Sequence, residues 1–251
     1  MGSANSRFIS PRGNPGSFLM LMLIVAGEMA GAQGISNRVA SDELQTLVNR
    51  TVVFAGPSFV SLRGNQDIEL GREVKVGYAV GFCVDHPFNR NLYSSVRFFY
   101  ERKGHRQRFD FDYYDPDQQG QVYRKQGYES RYDYLILAPM LYYQTEGPAK
   151  IIAGAGGFAG YLLKQELTTF ELTTGYVSTN DYTDRHKQFD FGLSFMLGVK
   201  LSFSGSILSA HLEDHLGLFN ISDFSQPQNI NLKTNSLILL LGFTLPKKKI
   251  N

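Results

Sequence analysis

The sequence predicts an all-β protein, an eight-stranded antiparallel up-and-down transmembrane β-barrel. Three observations support this prediction: large apolar side chains recur at every second residue, the segments that show this pattern are even in number, and the connections between them alternate between short and long. Of the 251 residues, 13% are aromatic and only 19% are charged. A period of two is typical of strands and not of helices.

The two clearest strands are residues 73–85 and 189–203. In each, one face carries only large apolar side chains, and the other carries mainly glycine, serine and a few charges. In a water-soluble sandwich the outward face would carry many more Lys and Glu. We therefore expect the apolar face to contact lipid and the small, polar face to line a narrow interior.

Six further strands are predicted at 52–62, 91–114, 121–144, 149–173, 206–217 and 232–245. The connections 86–90, 145–148 and 204–205 are short, whereas 63–72, 103–130, 164–187 and 218–231 are long. Outer-membrane barrels have short periplasmic turns and long extracellular loops. Within 103–130, Phe109, Phe111 and Tyr113 alternate with acids around a turn at Asp115–Gly120, which predicts a protruding hairpin; the segment 166–187 is expected to form another.

The ends of the chain carry different signals. Residues 1–32 are predicted to be a signal peptide, because the apolar run Phe18–Ala26 is followed by the small residues Ala30 and Ala32. Nine helical residues would span only about 14 Å of a ~30 Å hydrocarbon core, which argues against a membrane anchor. We expect a periplasmic lead-in at 33–50, the barrel at 51–246 and a basic tail at 247–251.

Charge and cysteine content exclude several classes of function. A net charge of +2 gives no sign of a nucleic-acid partner. The single cysteine, Cys83, rules out a disulfide framework and a CxxC metal site.

Three motifs have chemical interpretations that the sequence does not favour. Gly154–Ala159 matches GxGxxA but lies in no βαβ unit, so no cofactor is expected. Asp115–Gly120 is similar to a calcium loop, but Gln126 replaces the bidentate Glu, so no metal site is expected. The alternating residues of strand 206–217 lie about 6.5–7 Å apart and cannot form a triad alone, so no catalytic residue is assigned; these are Ser209, His211, Glu213 and His215.

Several charged residues fall on the inferred inward faces, with nearly balanced signs. A lone buried charge is costly, so these side chains are expected to pair across the lumen as a structural network. An eight-stranded barrel is just wide enough for side chains to fill, which predicts a plugged interior. The residues are Lys75, Arg97, Glu101, Asp190, Lys200, His211 and Glu213.

Four stretches of the sequence form a recognisable set: 134–141 (YLILAPML), the glycine-rich 154–163, the Asp-x-Gly strand at 190–198, and 216–221 (LGLFNI). On these stretches, residues 51–245 resemble the PorT-like outer-membrane β-barrel family of the Bacteroidetes. The resemblance implies an outer-membrane location and the barrel fold, and it implies no enzyme activity.

The expected function is that of a non-enzymatic structural or accessory subunit in the outer membrane, in contact with lipid and with protein partners. Some members of the family assist protein secretion, so a larger outer-membrane or secretion assembly is one setting. The candidate partner-binding residues are the hairpin tyrosines Tyr113, Tyr114, Tyr123 and Tyr128. Two alternatives stay open: a small-solute channel or transporter, and a lipid-modifying outer-membrane enzyme.

Overall fold

A computed structural model describes residues 50–64, 72–115, 120–171, 175–203, 206–223 and 231–244. The backbone alone is described for 72–73, 109–115, 120–125 and 203. The predicted signal peptide, nearly all of the lead-in, and the basic tail lie outside these ranges and stay predictions.

Within the described residues, nine strands follow one another along the chain, and a single turn of 3-10 helix at Thr183–Arg185 precedes the seventh. The strands are β1 (Arg50–Gly64), β2 (Arg72–Pro87), β3 (Leu92–Asp115), β4 (Gly120–Gln144), β5 (Ala149–Glu171), β6 (Val177–Asp181), β7 (Phe189–Phe203), β8 (Ser206–Gly217) and β9 (Leu232–Thr244). Within the described ranges, no helix is both long and apolar enough to span a membrane.

Eight of these strands close into a ring in the order β1, β2, β3, β4, β5, β7, β8, β9, and β9 pairs with β1. All the pairings are antiparallel, which confirms the predicted eight-stranded barrel. Closure gives every strand of the ring two hydrogen-bonded neighbours, as a lipid environment requires.

Strand β6 was not predicted as a separate strand, although a hairpin was expected in 166–187. Among the residues that the structure describes, it pairs with the distal part of β5 alone, outside the ring, with Thr168 opposite Thr179 for example. Its sequence, Val-Ser-Thr-Asn-Asp, has no alternation of apolar residues because neither face is buried. The expected hairpin in 166–187 therefore exists as β5 and β6.

The apolar face points outward, as the alternation predicts. On β7 the exposed side chains include Phe195 and Leu197, whereas the alternate residues Ser194 and Met196 are buried. On β2 the exposed series runs from Val74 to Val84. The interior is filled by the opposite faces, with large side chains such as Tyr134, Ile136 and Ile238 fully buried.

Small residues on β5 allow the large side chains of β4 to pack closely. A Cβ atom built on Gly154 would lie 2.6 Å from Cβ of Tyr142, so a side chain at this position would collide with β4. The GxGxxA match therefore lies within a barrel strand, where glycine permits close approach of a neighbour.

The β3–β4 hairpin is the longest feature of the fold. Its register runs without a break from Leu92 opposite Tyr143 to Asp115 opposite Gly120. The short connections lie at one end of the barrel, and this hairpin extends from the other, in agreement with the predicted protruding hairpin.

Candidate functional site

The middle of the lumen holds an ion pair between opposite walls of the barrel. The guanidinium of Arg97 on β3 pairs with the carboxylate of Glu213 on β8, and both side chains are almost wholly buried. Its Nη1 lies 3.2 Å from Nε2 of His211, and its Nη2 lies 2.8 Å from Sδ of Met196. On the same strand as Glu213, Nε2 of His215 lies 3.3 Å from Oε2 of Glu213.

A second buried group surrounds Lys103 of β3. Its ammonium lies 3.4 Å from Oδ2 of Asp190 and 3.8 Å from Oε2 of Glu101. Hydroxyl groups complete the shell: Ser58 donates to Glu101 at 2.6 Å, and Thr234 donates to Asp190 at 2.6 Å. The five residues come from β1, β3, β7 and β9, so the group connects opposite sides of the ring.

The two groups meet at His215, whose Nδ1 lies 3.9 Å from Oε2 of Glu101. A third polar group lies nearer the short turns, where the ammonium of Lys200 is 2.9 Å from Oδ2 of Asp85. Tyr142 donates its hydroxyl to the same carboxylate oxygen at 2.7 Å. Buried charges that are paired and hydrogen-bonded avoid most of the desolvation penalty of isolated ones.

The structure places six of the seven candidate lumen charges in these three groups: Arg97, Glu101, Asp190, Lys200, His211 and Glu213. Lys75 lies elsewhere, since its ammonium pairs with Glu129 of β4 and its side chain is 25% exposed. A shift in the register between β2 and β3 falls between Val74 and Tyr78, and at this level Lys75 pairs with Glu129 of β4 instead of with a charge inside the lumen.

Sequence reasoning missed Lys103 and Asp85. Lys103 lies within both the predicted strand 91–114 and the predicted long connection 103–130, and it was not named among the inward charges. In the structure β3 continues through it and keeps its side chain on the inward face. Asp85 is the last residue of the predicted strand 73–85. The alternation of β3 from Arg97 through Glu101 places Lys103 on the same inward face.

Two segments pack together at the end of the barrel that bears the long connections. We call residues 183–187 and 220–223 the mouth segments. Between them, Lys187 N donates to the Ile221 carbonyl at 2.9 Å. Ile221 N in turn donates to the carbonyl of Leu232, the first residue of β9, at 2.8 Å. Ile221 is fully buried among the apolar core residues, so this contact narrows the mouth of the lumen.

His186 anchors the first mouth segment. Its ring packs edge-on against Tyr132 at a centroid distance of 5.2 Å, and Nδ1 lies 3.3 Å from the Tyr182 carbonyl oxygen. Burial lowers the pKa of His186, against the opposing effects of the Tyr182 carbonyl and Asp223. A neutral ring therefore suits the packed arrangement best.

The candidate catalytic set on β8 does not form a triad. Oγ of Ser209 makes no hydrogen bond to either histidine among the described residues, and all four side chains lie inside the packed lumen. No group of three His, Cys, Asp or Glu side chains in the described ranges is placed to hold a metal ion. Within the calcium-like turn, residues 116–119 lie outside the described residues.

The hairpin tyrosines occupy the distal part of β3 and β4. Backbone pairing places Tyr113 opposite Val122, Tyr114 opposite Gln121 and Tyr123 opposite Asp112, close to the tip; the side chains of these three lie outside the described set. Tyr128 is opposite Gln107 and is half-buried.

Comparisons with known proteins agree with this architecture. The family model described as "Outer membrane protein beta-barrel domain" matches residues 45–223, more than half of the chain. No curated protein matches the sequence significantly.

Among solved structures, the chain is similar to Neisserial surface protein A, with 13% identity over 76% of this chain and 95% of that one, at a TM-score of 0.40. It is also similar to the outer membrane protein OprG of Pseudomonas aeruginosa, with 12% identity over 80% of this chain and 97% of that one, at a TM-score of 0.38. With Ail, the attachment invasion locus protein of Yersinia pestis, the identity is 9% over 78% of this chain and 99% of that one, at a TM-score of 0.36. From the family match, the chain belongs to the outer membrane protein beta-barrel domain family and is a protein of the outer membrane.

Proposed function

We propose that this chain is a non-enzymatic outer-membrane barrel of the PorT-like kind, which acts as a structural or accessory subunit and binds protein partners through its extracellular hairpins. The observation that carries the proposal is the length of the β3–β4 hairpin. Arg102 is the first outward-facing charged residue on β3, and the pairing of β3 with β4 continues from there to Asp115. At the usual rise per residue of a strand, this part of the hairpin is about 43 Å long.

A continuously paired ribbon of this length supports a role in binding. Function concentrates in surface segments that a stable scaffold positions, and tyrosine is well suited to the centre of an interface. The hairpin sequence supplies tyrosines and both signs of charge near its tip. A larger outer-membrane or secretion assembly would give such a hairpin its partner.

The lumen supports a structural role over the two alternatives. A channel needs an open path, but the groups around Arg97, Lys103 and Lys200 lie one after another along the interior and link opposite walls. A lipid-modifying enzyme needs its nucleophile and base in contact at a cleft open to lipid. Ser209 and His211 lie in the packed interior instead.

The test replaces residues 110–126 with an Asn-Gly turn. We expect a barrel that still migrates differently on gels before and after boiling, because the ring of paired strands below the hairpin is intact. We also expect the proteins that co-purify with the native chain from detergent-solubilised outer membranes to be lost. Retention of every partner by a folded deletion variant would disprove the assignment to the hairpin.

Point variants refine the test. Changing Tyr113, Tyr114, Tyr123 and Tyr128 together to Ser should weaken partner capture at least tenfold if they form the centre of the interface. The matched control is Tyr143→Ser, an exposed tyrosine at the opposite end of β4. Equal capture by both variants would remove the tyrosines from the interface.

A further inference from the structure

We propose that the outer wall formed by β2–β5 carries a binding site for the phosphate-bearing headgroup of an outer-leaflet lipid. The site is a group of eight mutually paired side chains, which we call the ion-pair band. Its cationic members are Lys75, Arg102, Arg106, Arg131 and Lys164, and its acidic members are Glu129, Asp133 and Glu166.

The band consists of three clusters on neighbouring strands. Arg102 Nε lies 2.8 Å from Oδ1 of Asp133. Arg106 Nη2 lies 2.6 Å from Oε2 of Glu129, and Oε1 of the same carboxylate pairs with the ammonium of Lys75. In the third cluster the shared acid is Glu166: the Lys164 ammonium lies 2.6 Å from Oε1, and Arg131 pairs with Oε2.

The charges of the band do not cancel. Asp133 balances one cation, but Glu129 and Glu166 each have two cationic partners, so the five cations and three acids of the band leave an excess of two positive charges. The carboxylate of Asp181 on β6, which is opposite Glu166 and interacts with Lys164, reduces the local excess to one. The side chains of Lys164 and Arg106 are 47% and 39% exposed, so their charged groups are open to a further anion. Guanidinium groups bind phosphate oxygens with two parallel hydrogen bonds, which makes phosphate a better match than a neutral headgroup.

The position of the band favours a lipid over a soluble anion. On β3 the outward series Leu92, Ser94, Val96, Phe98 and Tyr100 is uncharged and ends immediately before Arg102. These nine residues cover about 27 Å along the strand, or about 20 Å of height at a tilt of ~40°, which is close to the apolar band of a barrel wall. The ion-pair band thus begins where the hydrocarbon ends and the headgroups start.

Aromatic side chains mark the same boundary. Cζ of Arg102 lies 5.2 Å from the centroid of the exposed Tyr78 ring, and its Nη2 lies 3.0 Å from the hydroxyl oxygen of Tyr100. Tyrosine is enriched at membrane–water interfaces, where its ring contacts acyl chains and its hydroxyl contacts water. A lipid held here would place its acyl chains along the apolar face of β2 and β3 and its phosphate among the cations above.

The test compares two double variants that each remove two positive charges. Arg106→Gln with Lys164→Gln cancels the excess charge of the band. Lys187→Gln with Lys233→Gln is the control, because Lys187 follows the 3-10 turn and Lys233 lies on β9, which is opposite β4 in the ring. Folding of each is checked first by heat-modifiable migration.

The probe is bisphosphorylated lipid A in mixed micelles, with its dephosphorylated form as the neutral reference, and the readout is bound lipid by native mass spectrometry. We expect the native chain to prefer the phosphorylated lipid. The band variant should bind it roughly 10- to 30-fold more weakly, since each surface cation contributes about one factor of 5, and the control should be unchanged. Equal affinity of the native chain for both lipids, or equal losses in both variants, would overturn the proposal.

A second double variant changes the charge of the band in the opposite direction, and it serves as the test if the first variant fails to fold. Glu129→Gln with Glu166→Gln removes the two shared acids and raises the excess charge. Binding of the phosphorylated lipid should then become tighter than in the native chain. Unchanged or weaker binding in this variant would contradict the proposal.

Discussion

The Arg97–Glu213 ion pair is closed to solvent, with the two side chains 3% and 0% exposed. A buried pair of this kind contributes little relative to an apolar pair of the same volume, but each partner depends on the other. Because His211 and His215 also contact Glu213, the carboxylate is held from three sides. Its role is to fill the lumen with paired charged groups.

Arg97→Leu should destabilise the barrel by about 3–5 kcal/mol, because it leaves Glu213 as a buried carboxylate without its guanidinium. The measurement is the free energy of unfolding in urea from lipid vesicles. The double variant Arg97→Leu with Glu213→Leu removes both charges and should recover most of the loss. A single variant as stable as the native chain would show that the pair is hydrated and not buried.

Leu197→Arg should cost roughly 2–4 kcal/mol of stability in bilayers, because Leu197 lies on the outward face of β7 and is 60% exposed to what is lipid in the membrane. Leu197→Val is the control for loss of volume. Ser194→Arg, on the fully buried inward face, tests crowding of the lumen instead. If Leu197→Arg and Leu197→Val folded equally well in vesicles, the outward assignment of this face would be wrong.

At the scale of single elements, the mouth segments depend on a neutral histidine. The pKa of His186 lies below its usual value of 6.5 in the folded chain, chiefly because the ring is buried against Tyr132. When the neutral form of a histidine is the one that packs, its pKa is lower in the packed state than in the open state. Its packing then contributes its whole stabilising free energy at pH values above the pKa of the open state. That stability decreases as the pH falls below about 6.5, since the open state then binds a proton that the packed state resists.

Protection of the Lys187 and Ile221 amides against hydrogen exchange should therefore fall between pH 6.5 and pH 5. These amides donate to the Ile221 and Leu232 carbonyls, so their protection factors report on the mouth directly. The His186→Leu variant should show protection that does not change over this range, and amides in the middle of β7 serve as the internal reference. Constant protection in the native chain would mean that protonation of His186 does not open the mouth.

The elements also show what alternation can and cannot predict. All eight strands of the ring were predictable. Each one has a lipid-facing side of large apolar residues, or it is bounded by turn sequences that mark its ends. Strand β6 was not, because it pairs by backbone alone outside the lipid and needs no apolar face. The partner of Lys75 was not predictable, because a register shift between β2 and β3 falls beside it and a single sequence does not mark where such a shift occurs.

At the scale of the whole molecule, the partners of buried charges were the least predictable feature. Lys103 and Asp190 are far apart in sequence and meet across the lumen only because β3 and β7 lie on different sides of the ring. The alternation along a strand fixes whether a side chain points inward or outward. Its height relative to other strands depends instead on how far neighbouring strands are shifted along one another around the barrel. The sequence therefore predicts that the inward charges pair, and only the fold identifies the pairs.

The decisive property of this eight-stranded barrel is that side chains fill its lumen. Ion conductance of the folded protein in a planar bilayer is the direct test, with the native chain and the Arg97→Ala with Glu213→Ala variant measured side by side. We expect no steady conductance for the native chain, because the groups around Arg97, Lys103 and Lys200 occupy the interior. Stable single-channel currents from the native chain, unaffected by loss of the Arg97–Glu213 pair, would contradict this expectation.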